Sequence, residues 1–184
     1  FRPIQDGSLH VPPFHFRSCN NTLIICLKIL KYMANRLDNK VAIITGAASG
    51  IGKSTVKRFL SEGARVLAVD REDFPLPELS YDRNNLKTAH GDVRDRSDCT
   101  RWVDAAQSSF GCLDIVVNSA GISAREAGDD ADFEEKWDEV LSVNLKGTML
   151  MCHAALPALL KSGGGAIVNL ASIMSFVSYD PAMS

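Results

Sequence analysis

The sequence predicts an α/β fold built on a doubly wound parallel sheet, and three observations predict it. From Lys40 onward, short apolar runs alternate with segments whose apolar residues recur at helical spacing. The polar residues that stand out, Asp70, Asp92, Asn118 and Ser172, fall at or just past the ends of those apolar runs. The stretch Val41 to Gly52, VAIITGAASGIG, reads as a buried strand, a glycine-rich turn and a helix in immediate succession.

That first unit carries chemistry. Val41 to Thr45 is the strand; it breaks at Gly46, turns through Ala47, Ala48 and Ser49, and enters a helix near Gly50. The first N–H groups of a helix lack intrahelical partners and the aligned peptide dipoles leave partial positive charge there, so a diphosphate can sit at such a turn. Gly46 is expected to make the sharp exit, Gly50 to let phosphate oxygens approach, and Gly52 to let helix and strand pack closely. GAASGIGKS comes near a P-loop, ending in Gly52, Lys53 and Ser54. A P-loop has four residues between its glycines and this turn has five, which shifts the backbone cradle away from ATP or GTP.

The remaining elements follow in order. The helix from Gly50 to Glu62 places Ile51, Val56, Phe59 and Leu60 on one face and stops at Gly63. Arg65 to Val69 is a second strand ending at Asp70. Pro75 and Pro77 mark Glu72 to Asn85 as a loop or a short broken helix, and Leu86 to Ala89 is a third strand leading to Asp92 and Val93. Ser97 is read as the cap of a helix with Cys99, Trp102, Val103, Ala106 and Phe110 on one face, terminated by Gly111. Leu113 to Val117 is a fourth strand, followed by Asn118-Ser119-Ala120-Gly121. Two helices are expected at Phe133 to Val143 and Leu145 to Lys161, then a strand at Ala166 to Leu170. The βαβ order makes the sheet a Rossmann-type one, with its ligand beyond the carboxyl ends of the strands.

Composition bounds the alternatives. A chain of 184 residues, 46% apolar and 23% charged, can hold one domain with a real core. A net charge of −2 gives no reason to expect nucleic acid or a membrane as a partner. The five cysteines, Cys19, Cys26, Cys99, Cys112 and Cys152, are odd in number and never spaced as CxxC. They predict reduced thiols in a cytoplasmic protein with no disulfide framework and no metal site. Cys112 and Cys152 lie in apolar segments and are read as core.

Residues 1–32 look unlike the rest. They contain Pro3, Pro12 and Pro13, and their apolar run Leu23 to Leu30 is far shorter than the ~20 residues that span a bilayer. His10 and His15 have no ligand company and are read as a solvated tail. Residues 1–32 are therefore expected to be an extension outside the core, with residues 33–184 as the nucleotide-binding domain and Met33 as the first residue of the mature protein.

Asp70, eighteen positions after Gly52, ends the second strand where a carboxylate can accept both ribose hydroxyls of an adenosine. The same charge repels a 2′-phosphate, and Ser49 supplies no basic group to offset it, so NAD is expected rather than NADP although Arg71 is adjacent.

Thr45 to Gly52 as Thr-Gly-x-x-x-Gly-x-Gly resembles the turn of the short-chain dehydrogenase/reductase family, classical type. Four further matches follow in order: Asp92-Val93, Asn118-Ser119-Ala120-Gly121, Asn144 in SVNLKG, and Ser172 in IVNLASIMS. The resemblance covers Leu37 to Ser184 and departs from the family's Asn-Asn-Ala-Gly only at Ser119. It implies an oxidoreductase that interconverts a small alcohol and a ketone or aldehyde by hydride transfer. The cofactor contacts it implies are Gly46, Ser49, Gly50, Ile51 and Gly52 in the turn, Asp70 at the ribose, Asp92 and Val93 at the adenine, and Asn118, Ala120 and Gly121 at the fourth strand end. It also implies that Ser172 hydrogen-bonds the substrate oxygen and that Asn144 helps hold a proton-relay water. Relatives commonly assemble as dimers or tetramers through the helix that here spans Leu145 to Lys161.

One departure is large. The family's general acid/base is a tyrosine in a Tyr-x-x-x-Lys pair, the lysine charge lowering a phenol pKa that is otherwise about 10. Counting from Ser172, that tyrosine falls at or past Ser184, and Tyr179 has Met183 rather than lysine at its fourth following position. The expectation is a truncated copy of an NAD-dependent dehydrogenase, lacking the last strands and helices and inactive as it stands. The alternatives are a non-catalytic dinucleotide-binding module and, third, a P-loop phosphotransferase using Lys53 and Mg²⁺.

Overall fold

A computed structural model of the chain describes residues 35–72, 83–123 and 133–172. Five strands, β1 (Val41–Thr45), β2 (Arg65–Asp70), β3 (Leu86–His90), β4 (Ile115–Asn118) and β5 (Ala166–Asn169), form one sheet. Every pairing is parallel and the order is β3-β2-β1-β4-β5. The strand order reverses between β1 and β4, so a crevice opens beyond their carboxyl ends.

Burial on both faces explains the continuous apolar runs. All five residues of β1 are buried, because successive side chains point to opposite faces and both faces are covered. Val41 and Ile43 enter one core with Leu67, Val69, Trp102, Val116 and Met151. Ala42 and Ile44 enter the other with Val56, Leu60, Val66, Ala68 and Val117.

The helices cover those faces. Helix α1 (Gly50–Ser61) buries Gly52, Val56 and Leu60, and Gly63 leaves it with φ +84°. Phe59 is half-buried, but Ile51, expected on this core face, is 65% exposed. Five residues of helix separate Ile51 from Val56, about 140° around the axis, which turns Ile51 off the sheet. Helix α2 (Arg96–Phe110) buries Cys99, Trp102, Val103, Ala106 and Phe110, the five residues expected, and ends at left-handed Gly111. Its cap is Asp95 rather than Ser97: the Asp95 carboxylate accepts the Ser97 N–H at 2.7 Å and the Ser97 hydroxyl at 2.8 Å. A charged acceptor suits the positive end of the helix, and these bonds hold the Asp95 carboxyl below its usual range.

The two helices expected after residue 132 are one helical run. Helix α3 (Phe133–Leu141) continues through a wide π-type segment (Ser142–Gly147) into α4 (Thr148–Lys161). The expected break at Asn144 is a change of winding, of the kind that often marks a functional position. This run is long and apolar enough to cross a membrane by length and composition, yet Leu150, Met151, Ala155, Ala158 and Leu159 are packed in the core against the sheet and α2. Strand β4 begins at Ile115, two residues later than expected, and β5 lies at the sheet edge with Ile167 and Val168 partly exposed. Among the described residues Cys99 is the buried thiol, and Cys112 and Cys152 are half-buried.

Two carboxylates staple the frame. Glu62 is 4% exposed and its side chain accepts from the Arg36 N–H at 3.0 Å and from the guanidinium groups of Arg36 at 2.9 Å and Arg58 at 2.6 Å. The hydrogen bonds from Arg36 pull its pKa down to about 2. Asp114 accepts the Val41 N–H at 2.9 Å and pairs with Lys40, tying the start of β1 to β4. Burial pushes the Asp114 carboxyl up, but the Val41 N–H and Lys40 outweigh it and the net shift is downward. Residues 1–34 and 173–184, including Cys19, Cys26 and Tyr179, lie outside the described residues.

Candidate functional site

A cleft of about 420 Å³ opens at the switch point, within the size range of small-molecule sites. The turn after β1 forms one wall through Gly46, Ala48, Ser49, Gly50 and Ile51. The ends of β2 and β3 contribute Asp70, Arg71, Glu72, Gly91, Asp92 and Val93. Ser119, Ala120, Gly121 and Ile122 after β4, with Val143 and Leu170, close it.

The turn is held by close backbone approach. A Cβ on Gly46 would lie 2.8 Å from the Ala120 backbone, and one on Gly52 would overlap the Gly46 carbonyl oxygen. Gly46 and Gly50 have φ of +66° and +51°, where a side chain is strained. The Thr45 hydroxyl accepts the Ser119 N–H at 3.1 Å and the Ala120 N–H at 3.0 Å, joining the ends of β1 and β4. This role of Thr45 was not legible in the sequence, because β4 lies beside β1 only after a long crossover.

Asp70 is fixed before any ligand arrives. Its Oδ2 accepts the Ala48 N–H at 2.8 Å and its Oδ1 accepts the Glu72 N–H at 3.0 Å. Each carboxylate oxygen keeps further acceptor capacity. At the next strand end Arg94 grips Asp92: its Nε lies 3.0 Å and 2.9 Å from the two carboxylate oxygens, and a terminal nitrogen lies 2.6 Å from Oδ2. The Arg94 bond holds the Asp92 carboxyl below its ordinary value. Val93 is buried and packs against Gly147, where a Cβ would meet its Cγ2 at 2.6 Å. The helical run must therefore pass this loop at a glycine.

Of the expected cofactor contacts, Gly46, Ser49, Gly50, Ile51, Asp70, Asp92, Val93, Ala120 and Gly121 come together around the cleft. Gly52 lies behind the turn as a packing residue. Asn118 is buried below the cleft: its amide donates to Asn169 Oδ1 at 2.8 Å and contacts Cys152 Sγ at 3.3 Å. Its tie between β4 and β5 runs side chain to side chain. The Asn118 Oδ1 is buried without a partner among the described residues. Asn144 donates to the Ile122 carbonyl and accepts the Ile122 N–H, each at 2.9 Å, so both ends of its amide hold the loop after β4. Ser172 is exposed, just past β5, and is not among the residues lining the cleft. Lys53 does not line it either.

The residues fit a dinucleotide. Among the described residues nothing lies within 4 Å of where a Gly50 Cβ would stand, and Ser49 makes no side-chain cap to the N–H groups that open α1. The N–H groups that open α1 are thus left without a Ser49 cap, and the open space beside Gly50 suits a diphosphate, with a fixed carboxylate at the adjoining strand end.

Comparison with known proteins agrees with this geometry. Residues 40–183 match the family model described as short chain dehydrogenase. The chain is 40% identical over 149 residues to a D-threitol dehydrogenase of Mycolicibacterium smegmatis, covering 79% of this chain and 57% of the relative. Among solved structures, a Burkholderia xenovorans protein assigned to the short-chain dehydrogenase/reductases superposes with TM-score 0.65 at 33% identity, covering 79% of this chain and 58% of the other. A Brucella melitensis protein described as a short-chain dehydrogenase/reductase, glucose/ribitol dehydrogenase, gives 0.64 at 28%, covering 80% and 62%. The chain therefore spans roughly three-fifths of the length of the proteins it matches.

Proposed function

This chain belongs to the short chain dehydrogenase family, and on that premise we propose that it is the cofactor-holding part of an NAD-dependent oxidoreductase interconverting an alcohol and a carbonyl compound. The observation that carries the proposal is the pairing of a donor-rich glycine turn with Asp70, whose carboxylate is locked to that turn through the Ala48 N–H. When bound, NAD supplies the hydride acceptor; the protein's task is to orient it and exclude competing reactions.

The preference for NAD over NADP rests on charge. A carboxylate held at the ribose position accepts two hydroxyls and repels a 2′-phosphate. Arg71 also lines the cleft, but its side chain is about half exposed and faces Glu72 at 3.7 Å, so its offset is screened. Titration of the full chain with NADH and NADPH tests this. NADH is expected to bind at least about tenfold more tightly, a single 1.4 kcal/mol step, and Asp70→Asn, which keeps an acceptor for Ala48, is expected to shrink that gap. Equal affinities, or a gap untouched by the substitution, would refute the assignment.

Turnover needs a proton carrier. Among the 184 residues, Tyr32, Tyr81 and Tyr179 are followed at the fourth position by Arg36, Asn85 and Met183, so no Tyr-x-x-x-Lys pair is present. We propose that this polypeptide binds dinucleotide without turning over. The second reading is a non-catalytic binding module, and an assay of the natively expressed protein with NAD and small polyols, the class named by the D-threitol relative, separates the two: turnover supports the dehydrogenase, and NADH binding without turnover supports the module. Subunit association is proposed through the exposed apolar residues Leu145, Met149, Leu156 and Leu160 of the helical run, giving a homodimer or homotetramer measurable by sedimentation. A cytoplasmic location is proposed from the unpaired thiols Cys99, Cys112 and Cys152.

A further inference from the structure

Resting on the dinucleotide reading above, we infer that Asp98, on the first turn of α2 and outside the cleft, is a positioning residue that sets affinity for the adenine half of the ligand. Its Oδ2 accepts the backbone N–H of Asp92 at 2.8 Å, and its Oδ1 pairs with Arg101 at 2.8 Å. Arg101 in turn donates to the His90 carbonyl at 3.0 Å. Gly91, between those two anchored residues, has φ +153°, and a Cβ there would overlap Asp98 Oδ2 and stand 3.0 Å from Trp102. Glycine is what lets the carboxylate reach the loop.

The consequence is a loop gripped from behind. Gly91, Asp92 and Val93 line the cleft on one side; from the α2 side Asp98 holds Asp92 and Arg101 holds His90, with Trp102 beside Gly91. The Gly91 N–H also bonds the Asp70 carbonyl at 3.0 Å, so the loop and the ribose carboxylate belong to one connected backbone. Asp98 is 15% exposed at its side chain, and its bond to Asp92 replaces one that water makes in a mobile loop. Holding the loop in its bound shape before the ligand arrives reduces the ordering cost of binding, and that gain is confined to the half of the ligand the loop touches.

Isothermal titration of the full chain with 5′-AMP and with NADH tests the inference. Asp98→Ala is expected to weaken AMP about fivefold to tenfold, the scale of one typical hydrogen bond, and to weaken NADH by the same factor. Asp98→Asn, which keeps an oxygen acceptor for Asp92, is expected to stay within about twofold of the unmodified chain. Arg101→Ala, an exposed change that leaves the helix intact, is expected to move AMP in the same direction by about twofold to threefold. A merely structural role lowers the binding-competent fraction without changing either dissociation constant. Unchanged AMP affinity in Asp98→Ala, or an NADH loss well above the AMP loss, overturns the inference alone. Failure of the unmodified chain to bind NADH overturns the dinucleotide reading and this inference with it.

Discussion

Replacing Gly52 with alanine is the sharpest test of how the turn is built. The added Cβ would overlap the Gly46 carbonyl oxygen, lie 2.7 Å from the Gly46 carbonyl carbon and 3.1 Å from the Thr45 oxygen. All three are backbone atoms at the end of a strand whose residues are buried, so no rotamer change relieves the contact and α1 must move off β1. Overpacking of this kind costs about 3 kcal/mol, while alanine recovers about 1 kcal/mol of helix propensity, leaving a net loss near 2 kcal/mol. With a urea dependence of about 2 kcal/mol/M, the unfolding midpoint falls by about 1 M. Gly50→Ala is the control. Its Cβ meets nothing within 4 Å, and its cost is the strain of φ +51°, about 1 kcal/mol. Gly52→Ala is therefore expected to lose more stability, and Gly50→Ala, whose methyl enters space bordering the cleft, more NADH affinity for each unit of stability lost. A midpoint for Gly52→Ala equal to or above the parent's would refute the close-packing account.

Further outcomes follow from the buried carboxylate and the thiols. The Glu62 pKa is depressed to about 2, so its contribution is fully present above its unfolded value of 4.5 and disappears as pH falls from 4.5 toward 2. Urea midpoints measured from pH 7 to 3 are expected to hold level and then fall in that window, less steeply in Glu62→Gln; an identical slope in the variant removes Glu62 as a cause. Burial, reinforced by the neighbouring Asp98 and Asp95 charges, pushes the Cys99 thiol up to about 11, so alkylation at pH 8 mapped by mass spectrometry is expected to leave Cys99 unmodified until urea is added. Prompt labelling of Cys99 in the native protein contradicts its place in the core.

Much was legible because neighbours in sequence settle it. VAIIT and the VLAV of the second strand are continuous buried runs because both faces of a parallel sheet are covered, and the five buried residues of α2 follow from helical period alone. The turn Gly46 to Gly52 announces itself, since its glycines are required by local φ and by contacts within the same unit. The sequence is ambiguous where two signals compete nearby, as Asp95 does with Ser97 for the cap, or where the angle around a helix decides exposure, as for Ile51.

What only tertiary structure decided lies across the crossovers. No local signal places Thr45 against Ser119, Asn118 against Asn169, Asn144 against Ile122, or Asp98 beneath Asp92 with Gly91 making room. The Asn144 winding changes smoothly rather than breaking because Val143, Leu150 and Met151 keep the run on the core. Sequence by itself determined the elements, the donor-rich turn and the carboxylate at Asp70, because short-range sterics and periodicity specify them. The cleft came from the strand order, which sets β4 beside β1 and leaves their polar ends facing one another, and that order depends on which apolar faces find each other in three dimensions.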